Sequence, residues 1–271
     1  MLRVSSAPAL TVSPRGFGAA ALGCALSVWL VGLFAPRLAL EPLLAFAVAY
    51  VAVTLQILAL AWLAPSLAPR FLLLAAGACA LALLALAWAP NTLAYAALLT
   101  LALGPLAGLL GGFVGARIEK PGQLAAVALV SAIADLWSVL DPSAPSARFA
   151  EQVLAHPERL ALFALPFPLL GTSLVPAVIG AGDVVFAALY VAAFRAFHLS
   201  VERALLALLG AFLTGLCALL ILQRPLPLLP LLGLAVVACD PAARSLTGRE
   251  WRTVLLVCAG LGAAILLRVS R

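Results

Sequence analysis

Long apolar runs follow one another along almost the whole chain, and they constrain its fold more than any other feature of the sequence. Hydrophobic residues make up 66% of the 271 residues, and charged residues only 10%. A soluble domain needs far more charge on its surface, so this composition excludes an ordinary soluble protein. A run of about 20 apolar residues can cross the hydrocarbon core of a bilayer as a helix. The sequence therefore predicts an all-α fold, a polytopic bundle of transmembrane helices.

Proline, glycine and charged residues divide the apolar sequence into about nine predicted spans. They are residues 17–35, 43–63, 71–88, 92–114, 123–140, 174–197, 204–222, 225–239 and 253–267. Residues 1–122 contain about four N-terminal spans, residues 123–240 contain two aspartates inside apolar runs, and residues 241–271 contain a loop and the last span. The longest break, residues 141–170, includes amphipathic helical spacing at 147–165, which we expect to lie at the membrane interface.

The basic residues, which give the chain a net charge of +6, stand singly at the ends of apolar runs. This distribution fits anchoring at lipid headgroups and gives no indication of a nucleic-acid partner. With nine spans, ten Lys and Arg residues fall on the side of the N-terminus and six on the opposite side. The positive-inside rule then predicts a cytoplasmic N-terminus. The five cysteines show no CxxC spacing, and we interpret them as small buried hydrophobes.

Two of the ten acidic residues, Asp135 and Asp183, stand inside apolar runs. The other eight lie at the ends of runs or in breaks, where solvent contact explains them. A carboxylate near the middle of a bilayer costs roughly 2.5–3.5 kcal/mol on translocon scales, so it is expected to have a function and a partner. Asp183 is about ten residues into its predicted span, near mid-depth, and Asp135 is about five residues from the end of its own. If these two spans run antiparallel, the two carboxyl groups can meet.

A pair of close carboxyl groups predicts acid–base catalysis. Two carboxylates a few ångströms apart cannot both ionise, so they share one proton. The charged group can act as general base on a water molecule, and the protonated group can polarise a carbonyl as general acid. The sequence contains no HExxH motif, and its two histidines are far apart. We therefore predict neither a metal nor another cofactor.

Two backbone features accompany the aspartates. Gly180 and Gly182 precede Asp183 in a Gly-x-Gly-Asp sequence, where the lack of side chains allows a substrate or a neighbouring helix to approach closely. Ordinary helix packing would explain the same glycines. Three prolines in Pro225–Pro230 cannot form regular helix, which indicates either an irregular segment facing a substrate or a loop followed by a helix start.

Together these features resemble the intramembrane aspartyl proteases of the presenilin and signal peptide peptidase group. Asp135-Leu-Trp-Ser-Val-Leu-Asp-Pro-Ser-Ala-Pro145 is similar to the presenilin pattern Asp-Leu-x-x-Val-Leu-x-Pro-x-x-Pro around the first aspartate. Gly180-Ala-Gly-Asp183 matches the Gly-x-Gly-Asp motif around the second. Pro227-Leu-Leu-Pro230 is similar to the Pro-Ala-Leu motif, with leucine in place of alanine. The resemblance covers roughly residues 124–239.

The resemblance implies a presenilin-like fold and an aspartic endopeptidase that cleaves transmembrane segments of other membrane proteins. Asp135 and Asp183 would form the catalytic dyad. The residues implied in substrate binding are Gly180, Gly182, Pro227, Leu228 and Leu229. A bacterial or archaeal member of this group would lie in a prokaryotic cell membrane, with the bilayer and its transmembrane substrates as partners. No residue indicates an accessory subunit.

Two other interpretations of the aspartates remain open. A type IV prepilin peptidase-like protease also uses Gly-x-Gly-Asp, but it has no counterpart of residues 227–230, and it would cut a pilin-like helix at the membrane face. A transporter or channel could use the aspartates as a proton or cation relay. Proton-coupled flux without peptide cleavage would distinguish the relay from both proteases.

Overall fold

The computed structural model describes residues 14–38, 40–64, 77, 93–140, 164–222 and 227–269, and most of these residues are helical. The α-helices are α1 (Pro14–Phe34), α2 (Pro42–Leu63), α3 (Leu93–Gly115), α4 (Gln123–Leu140), α5 (Ala181–Ala196), α6 (Val201–Leu222), α7 (Leu229–Cys239) and α8 (Gly248–Val269). Short 3-10 helices follow α1 and α7, at Ala35–Arg37 and Pro241–Arg244. Two strands, β1 (Ala164–Pro166) and β2 (Ala177–Gly180), precede α5.

Four helices, α1, α2, α3 and α6, are long and apolar enough to cross a membrane. Large hydrophobic side chains such as Leu206, Ile221 and Leu256 are more than two-thirds exposed in the isolated chain, although water would penalise their exposure. Their exposure is expected if lipid surrounds the helices, because lipid tails are as apolar as leucine. The structure therefore supports a membrane protein. Of the other predicted spans, residues 71–88 lie outside the described residues apart from residue 77.

The helices pack in two groups. In the first group, α3 packs against both α1 and α5, and α2 packs against α5. In the second group, α4 packs against α7 and α8. Helix α6 contacts α2, α5 and α7, and α7 also contacts α5 directly, so the two groups meet along both α6 and α7. Asp183 belongs to the first group and Asp135 to the second.

Polar contacts at helix ends fix the first group. The Arg195 guanidinium at the end of α5 donates hydrogen bonds to the carbonyl oxygens of Trp62 and Ala64, which α2 leaves free at its C-terminus. At the other end of α2, the Glu41 carboxylate accepts a hydrogen bond from the N–H of Leu44 at 3.2 Å and caps the helix. These contacts satisfy backbone groups that would otherwise remain unpaired.

The start of α8 is tied to the loop between α3 and α4. Glu250 and Thr247 form a capping box, in which the Glu250 carboxylate accepts a hydrogen bond from the Thr247 N–H at 2.8 Å. The same carboxylate pairs with the Lys120 ammonium at 2.8 Å. Through this contact and its packing on α4, α8 is held beside the helix that carries Asp135.

The expectation of an all-α fold needs one correction, because residues 164–180 contain an antiparallel hairpin. Leu165 pairs with Ile179, and both are buried. The turn includes Gly171 at φ +86°, and its N–H donates a hydrogen bond of 2.7 Å to the carbonyl of Ala35. A β-carbon on Gly171 would stand 2.9 Å from the Leu38 carbonyl oxygen, so glycine suits both the dihedral angle and the close approach.

Three predicted boundaries are wrong, two of them at this hairpin. The sequence predicts one helix over 174–197, whereas the observed helix begins only at Ala181, because Pro176 has no N–H and Ala177, Ile179 and Gly180 pair with β1 instead. The predicted interfacial helix ended at Leu165, which is in strand β1; residues 147–163 lie outside the described residues. The predicted span 225–239 begins as a helix only at Leu229.

Candidate active site

Asp183 lies in the first turn of α5, not ten residues into a helix as the sequence predicts. Gly180 is the N-cap of α5, so Asp183 occupies the third helical position. Its carboxyl group accepts a hydrogen bond from the backbone of Gly180. This is one half of a capping box, in which an acidic side chain reaches back to the N-cap. The positive end of the helix dipole favours a carboxylate at this position.

Asp135 lies on α4 and is bound by the start of α7. Its Oδ2 atom accepts a hydrogen bond from the N–H of Leu229 at 2.9 Å. The N–H of Leu228 interacts with the same carboxyl group. Leu229 is the first residue of α7, where the N–H groups have no partner within the helix. Pro227 and Leu228 precede this helix start, so the structure agrees with the second alternative, a loop followed by a helix start, and the start of α7 presents backbone donors to one of the two aspartates.

The two carboxyl groups are close enough to interact. Asp183 interacts electrostatically with Asp135, and the residues that place them come from different helix groups. Each carboxyl group stands at the N-terminus of a helix, Asp183 within α5 and Asp135 against α7. The helix N-termini favour negative charge at both positions, whereas the burial of both groups and the charge of Asp135 next to Asp183 oppose it.

A cavity of about 190 Å³ opens beside Asp183. Its lining combines β2, the start of α5 and the segment before α7 with residues of α2 and α6. The lining residues are Tyr50, Val178, Ile179, Gly180, Asp183, Gly215, Leu219, Pro227, Leu228 and Leu231. One face of this cavity thus contains an ionisable group, and most of the remainder is apolar. A cavity of this kind is typical of a site that binds an apolar chain next to a reactive group.

The predicted site residues divide into those that line the cavity and those that do not. Asp183, Gly180, Pro227 and Leu228 line it. Leu229 is outside the lining but donates its N–H to Asp135. Asp135 itself reaches the site through its interactions with Asp183 and α7.

Gly182 differs from Gly180 in its surroundings. A β-carbon on Gly182 would meet no atom within 4 Å, and the residue is exposed. A β-carbon on Gly180 would stand 3.4 Å from the Asp183 carboxylate. Close packing therefore does not explain the glycine at 182, whereas Gly180 keeps the surroundings of the carboxylate clear.

Two glycines on α3 bring this helix against the backbone of α5 just behind Asp183. A β-carbon on Gly111 would overlap the Val185 carbonyl oxygen, and one on Gly115 would overlap the Leu189 carbonyl oxygen. This small-xxx-small spacing allows close approach of membrane helices. Their i, i+4 spacing is visible in the chain, but the same spacing is common in apolar helices and does not by itself mark them as site-positioning residues. They fix the position of the helix that carries Asp183.

Sequence reasoning also missed Tyr50 and Gly215, which line the cavity from α2 and α6. Neither has a charged neighbour in the sequence that would mark it, because both stand within apolar helices. Their place in the site depends on long-range packing of α2 and α6 against α5.

No group of three or more His, Cys, Asp and Glu side chains comes together within the described residues. Comparison with known proteins adds no assignment: no protein-family model matches the chain, and searches of curated proteins and of solved structures return no match.

Proposed function

We propose that this protein is an intramembrane aspartyl protease that hydrolyses peptide bonds in transmembrane segments of other proteins. The observation that carries the proposal is that the start of α7 adjoins both acids: Leu229 donates its N–H to Asp135, and the preceding Pro227 and Leu228 line the cavity beside Asp183. The sequence resemblance to presenilin and signal peptide peptidase supports the same function. A nine-span, presenilin-like architecture belongs to this proposal as well.

The chemistry requires one proton on the pair. The charged carboxylate removes a proton from a water molecule as the water oxygen attacks the peptide carbonyl carbon. The protonated carboxyl group gives its proton to the carbonyl oxygen, so the tetrahedral intermediate is neutral and the pair again holds one proton. The protonated carboxyl group then donates its proton to the leaving nitrogen while the other carboxylate takes a proton from a hydroxyl of the intermediate. The C–N bond breaks, an amine and a carboxylic acid are released, and the pair again holds one proton. The hydrogen bond from Leu229 to Asp135 holds one carboxyl group in place during these transfers.

The strand next to Asp183 supports an extended substrate. A peptide bond inside a helix is hydrogen-bonded and shielded, so a transmembrane substrate must unwind before water can attack it. Val178, Ile179 and Gly180 of β2 line the cavity, and the strand leads directly to Asp183. An unwound segment beside β2 would gain backbone hydrogen bonds by strand addition. These bonds would replace the ones that the substrate helix loses.

The test uses purified protein in lipid bilayers and a single-span substrate, with the products identified by mass spectrometry. Wild type is compared with Asp135→Asn, Asp183→Asn and the control Asp240→Asn. Asparagine preserves the size and the capping oxygen of aspartate, but it cannot carry the shared proton. Asp240 caps a short 3-10 helix through a 2.9 Å bond from Ala242, so its variant controls for the loss of a capping carboxylate.

We expect wild type and Asp240→Asn to cleave the substrate, and both other variants to lose cleavage. An Asp135→Asn or Asp183→Asn protein that cleaves as fast as wild type would refute the dyad. The use of asparagine separates catalysis from folding, because Asp183 also caps α5 and its replacement by alanine would disturb both.

A further inference from the structure

Tyr50 brings a hydroxyl group to the same cavity as Asp183. It lies on α2, is only 6% exposed, and lines the cavity together with β2 and the start of α5, against both of which α2 packs. Its Oη atom is 3.5 Å from the point where a β-carbon on Gly215 would stand. It also interacts electrostatically with Asp183. The glycine on α6 thus leaves space directly beside the hydroxyl, and a carboxyl group is near.

Packing accounts for the ring of Tyr50 but not for its hydroxyl. The ring contacts Phe46, one turn earlier on α2, with ring centroids 6.3 Å apart. A phenylalanine would fill this space equally well. The residue lines the cavity, and tyrosine hydroxyl groups in largely apolar surroundings usually have a hydrogen-bond partner, so this hydroxyl is placed to bind a group that enters the cavity.

We propose that Tyr50 is a further catalytic residue, whose hydroxyl donates a hydrogen bond to the carbonyl oxygen of the scissile peptide bond. This inference rests on the proposed protease function. A peptide in the cavity would lie between β2 on one side and α2 and α6 on the other, with Asp183 at one end and the Tyr50 hydroxyl within reach.

The hydroxyl keeps its proton throughout the reaction. Negative charge develops on the carbonyl oxygen while the water oxygen bonds to the carbonyl carbon, before the proton from the carboxyl pair arrives. A fixed donor aimed at this oxygen stabilises the transition state more than the bound substrate. Removal of a donor of this type lowers kcat by about 100- to 1000-fold in enzymes that depend on it alone. Because the carboxyl pair shares the task here, we expect a loss of at least about 10-fold.

The experiment compares wild type, Tyr50→Phe, Tyr95→Phe and Asp183→Asn with one single-span substrate in lipid. Tyr95 is the matched control, because it is a tyrosine of α3 that is 5% exposed and does not line the cavity. For each protein we measure kcat, KM, the midpoint of thermal unfolding and the affinity for a peptide isostere with a tetrahedral hydroxyl group. Tyr50→Phe should lower kcat by at least about 10-fold and should lower the affinity for the isostere by a similar factor. Its KM and unfolding midpoint should stay within the range of wild type and Tyr95→Phe.

Each other outcome has a defined meaning. If Tyr50→Phe retains the kcat of wild type, or raises KM alone, Tyr50 does not act on the transition state and the inference is wrong. A fall in the unfolding midpoint that accompanies the loss of activity would assign Tyr50 to packing and also overturn it. The proposed protease itself fails if wild type does not cleave the substrate or if Asp183→Asn cleaves as well as wild type, and neither result involves Tyr50, so the two failures are distinct.

Discussion

The close packing of α3 on α5 predicts that Gly111→Ala destabilises the protein and disturbs the site. The new β-carbon would overlap the Val185 carbonyl oxygen and would stand 2.9 Å from both the Leu189 nitrogen and the Ala188 β-carbon. Ordinary contacts begin at 3.4 Å, so the helices must separate by at least about 0.5 Å. The obstructing atoms are mostly backbone, which cannot rotate away. We expect the free energy of unfolding to fall by about 1–3 kcal/mol, as for other overpacked interiors.

The neighbouring residue gives a matched control. A β-carbon on Gly112 would meet only the Ala64 β-carbon, at 3.5 Å, which is an ordinary contact. Both substitutions gain up to about 1 kcal/mol of helix propensity relative to glycine. The difference between Gly111→Ala and Gly112→Ala therefore isolates the overlap with α5. Gly112→Ala should be neutral or slightly stabilising.

The assay is reversible unfolding in bicelles, with the free energy measured by steric trapping, together with substrate cleavage in lipid. Val185 is two residues beyond Asp183, so displacement of α5 should also lower kcat in Gly111→Ala and not in Gly112→Ala. Equal stability and equal kcat for the two variants would refute the packing of α3 on α5 and its role in placing Asp183.

Three further predictions concern polar contacts. The Gln56 amide donates a hydrogen bond of 2.8 Å to the Ser27 hydroxyl, so Ser27→Ala leaves this amide without its acceptor and should lower the free energy of unfolding in bicelles by about 1 kcal/mol. Gln56→Leu removes the amide itself and should cost less, so a smaller loss in Ser27→Ala than in Gln56→Leu would contradict this prediction. Arg195→Met leaves carbonyl oxygens at the end of α2 without donors and should lower the free energy of unfolding in bicelles by about 1–3 kcal/mol. Arg195→Lys keeps a donor and should restore part of this free energy. The hydrogen bond from Lys120 lowers the pKa of Glu250 from its ordinary value of 4.5 to about 2. The charged Glu250 carboxylate therefore contributes fully to stability above pH 4.5, and this contribution is lost as the pH falls toward 2. Lys120→Met should therefore flatten the pH dependence of the unfolding midpoint between pH 4.5 and 2, and an unchanged slope would show that the ion pair does not contribute.

The helix positions could be predicted from the sequence where apolar runs end at clear breaks. The prediction for α4, residues 123–140, matches the observed helix, and α2 and α3 agree within one residue at each end. Each of these runs satisfies its backbone hydrogen bonds internally, so its boundaries depend on local residues. Hydropathy alone therefore locates them.

The hairpin could not be predicted in this way. Residues 174–197 are continuously apolar, and only pairing of Ala177–Gly180 with Ala164–Pro166 decides that the first part is a strand. Helix and buried strand have the same composition in short apolar runs, so the distant partner determines the outcome. Pro176 was the one local indication against a continuous helix.

The charged residues of the site could be predicted from the sequence, but the residues that line its cavity from other helices could not. Asp135 and Asp183 stand out because acids are rare inside apolar runs. Tyr50 and Gly215 do not, because an aromatic residue or a glycine within an apolar helix is common. The hydrogen bond from Leu229 to Asp135 comes from the backbone N–H of Leu229. Because this donor is independent of the side chain, the residue type at 229 does not indicate the contact.

The division of the helices into two groups has a consequence for how such a site operates. Asp183 stands on α5 and Asp135 on α4, and the two groups meet where α6 packs on α2, α5 and α7 and where α7 packs on α5. The separation of the two acids therefore depends on contacts between helices that neither carboxyl group makes. Substitutions in these contacts would change how strongly the acids interact while both carboxyl groups stay intact.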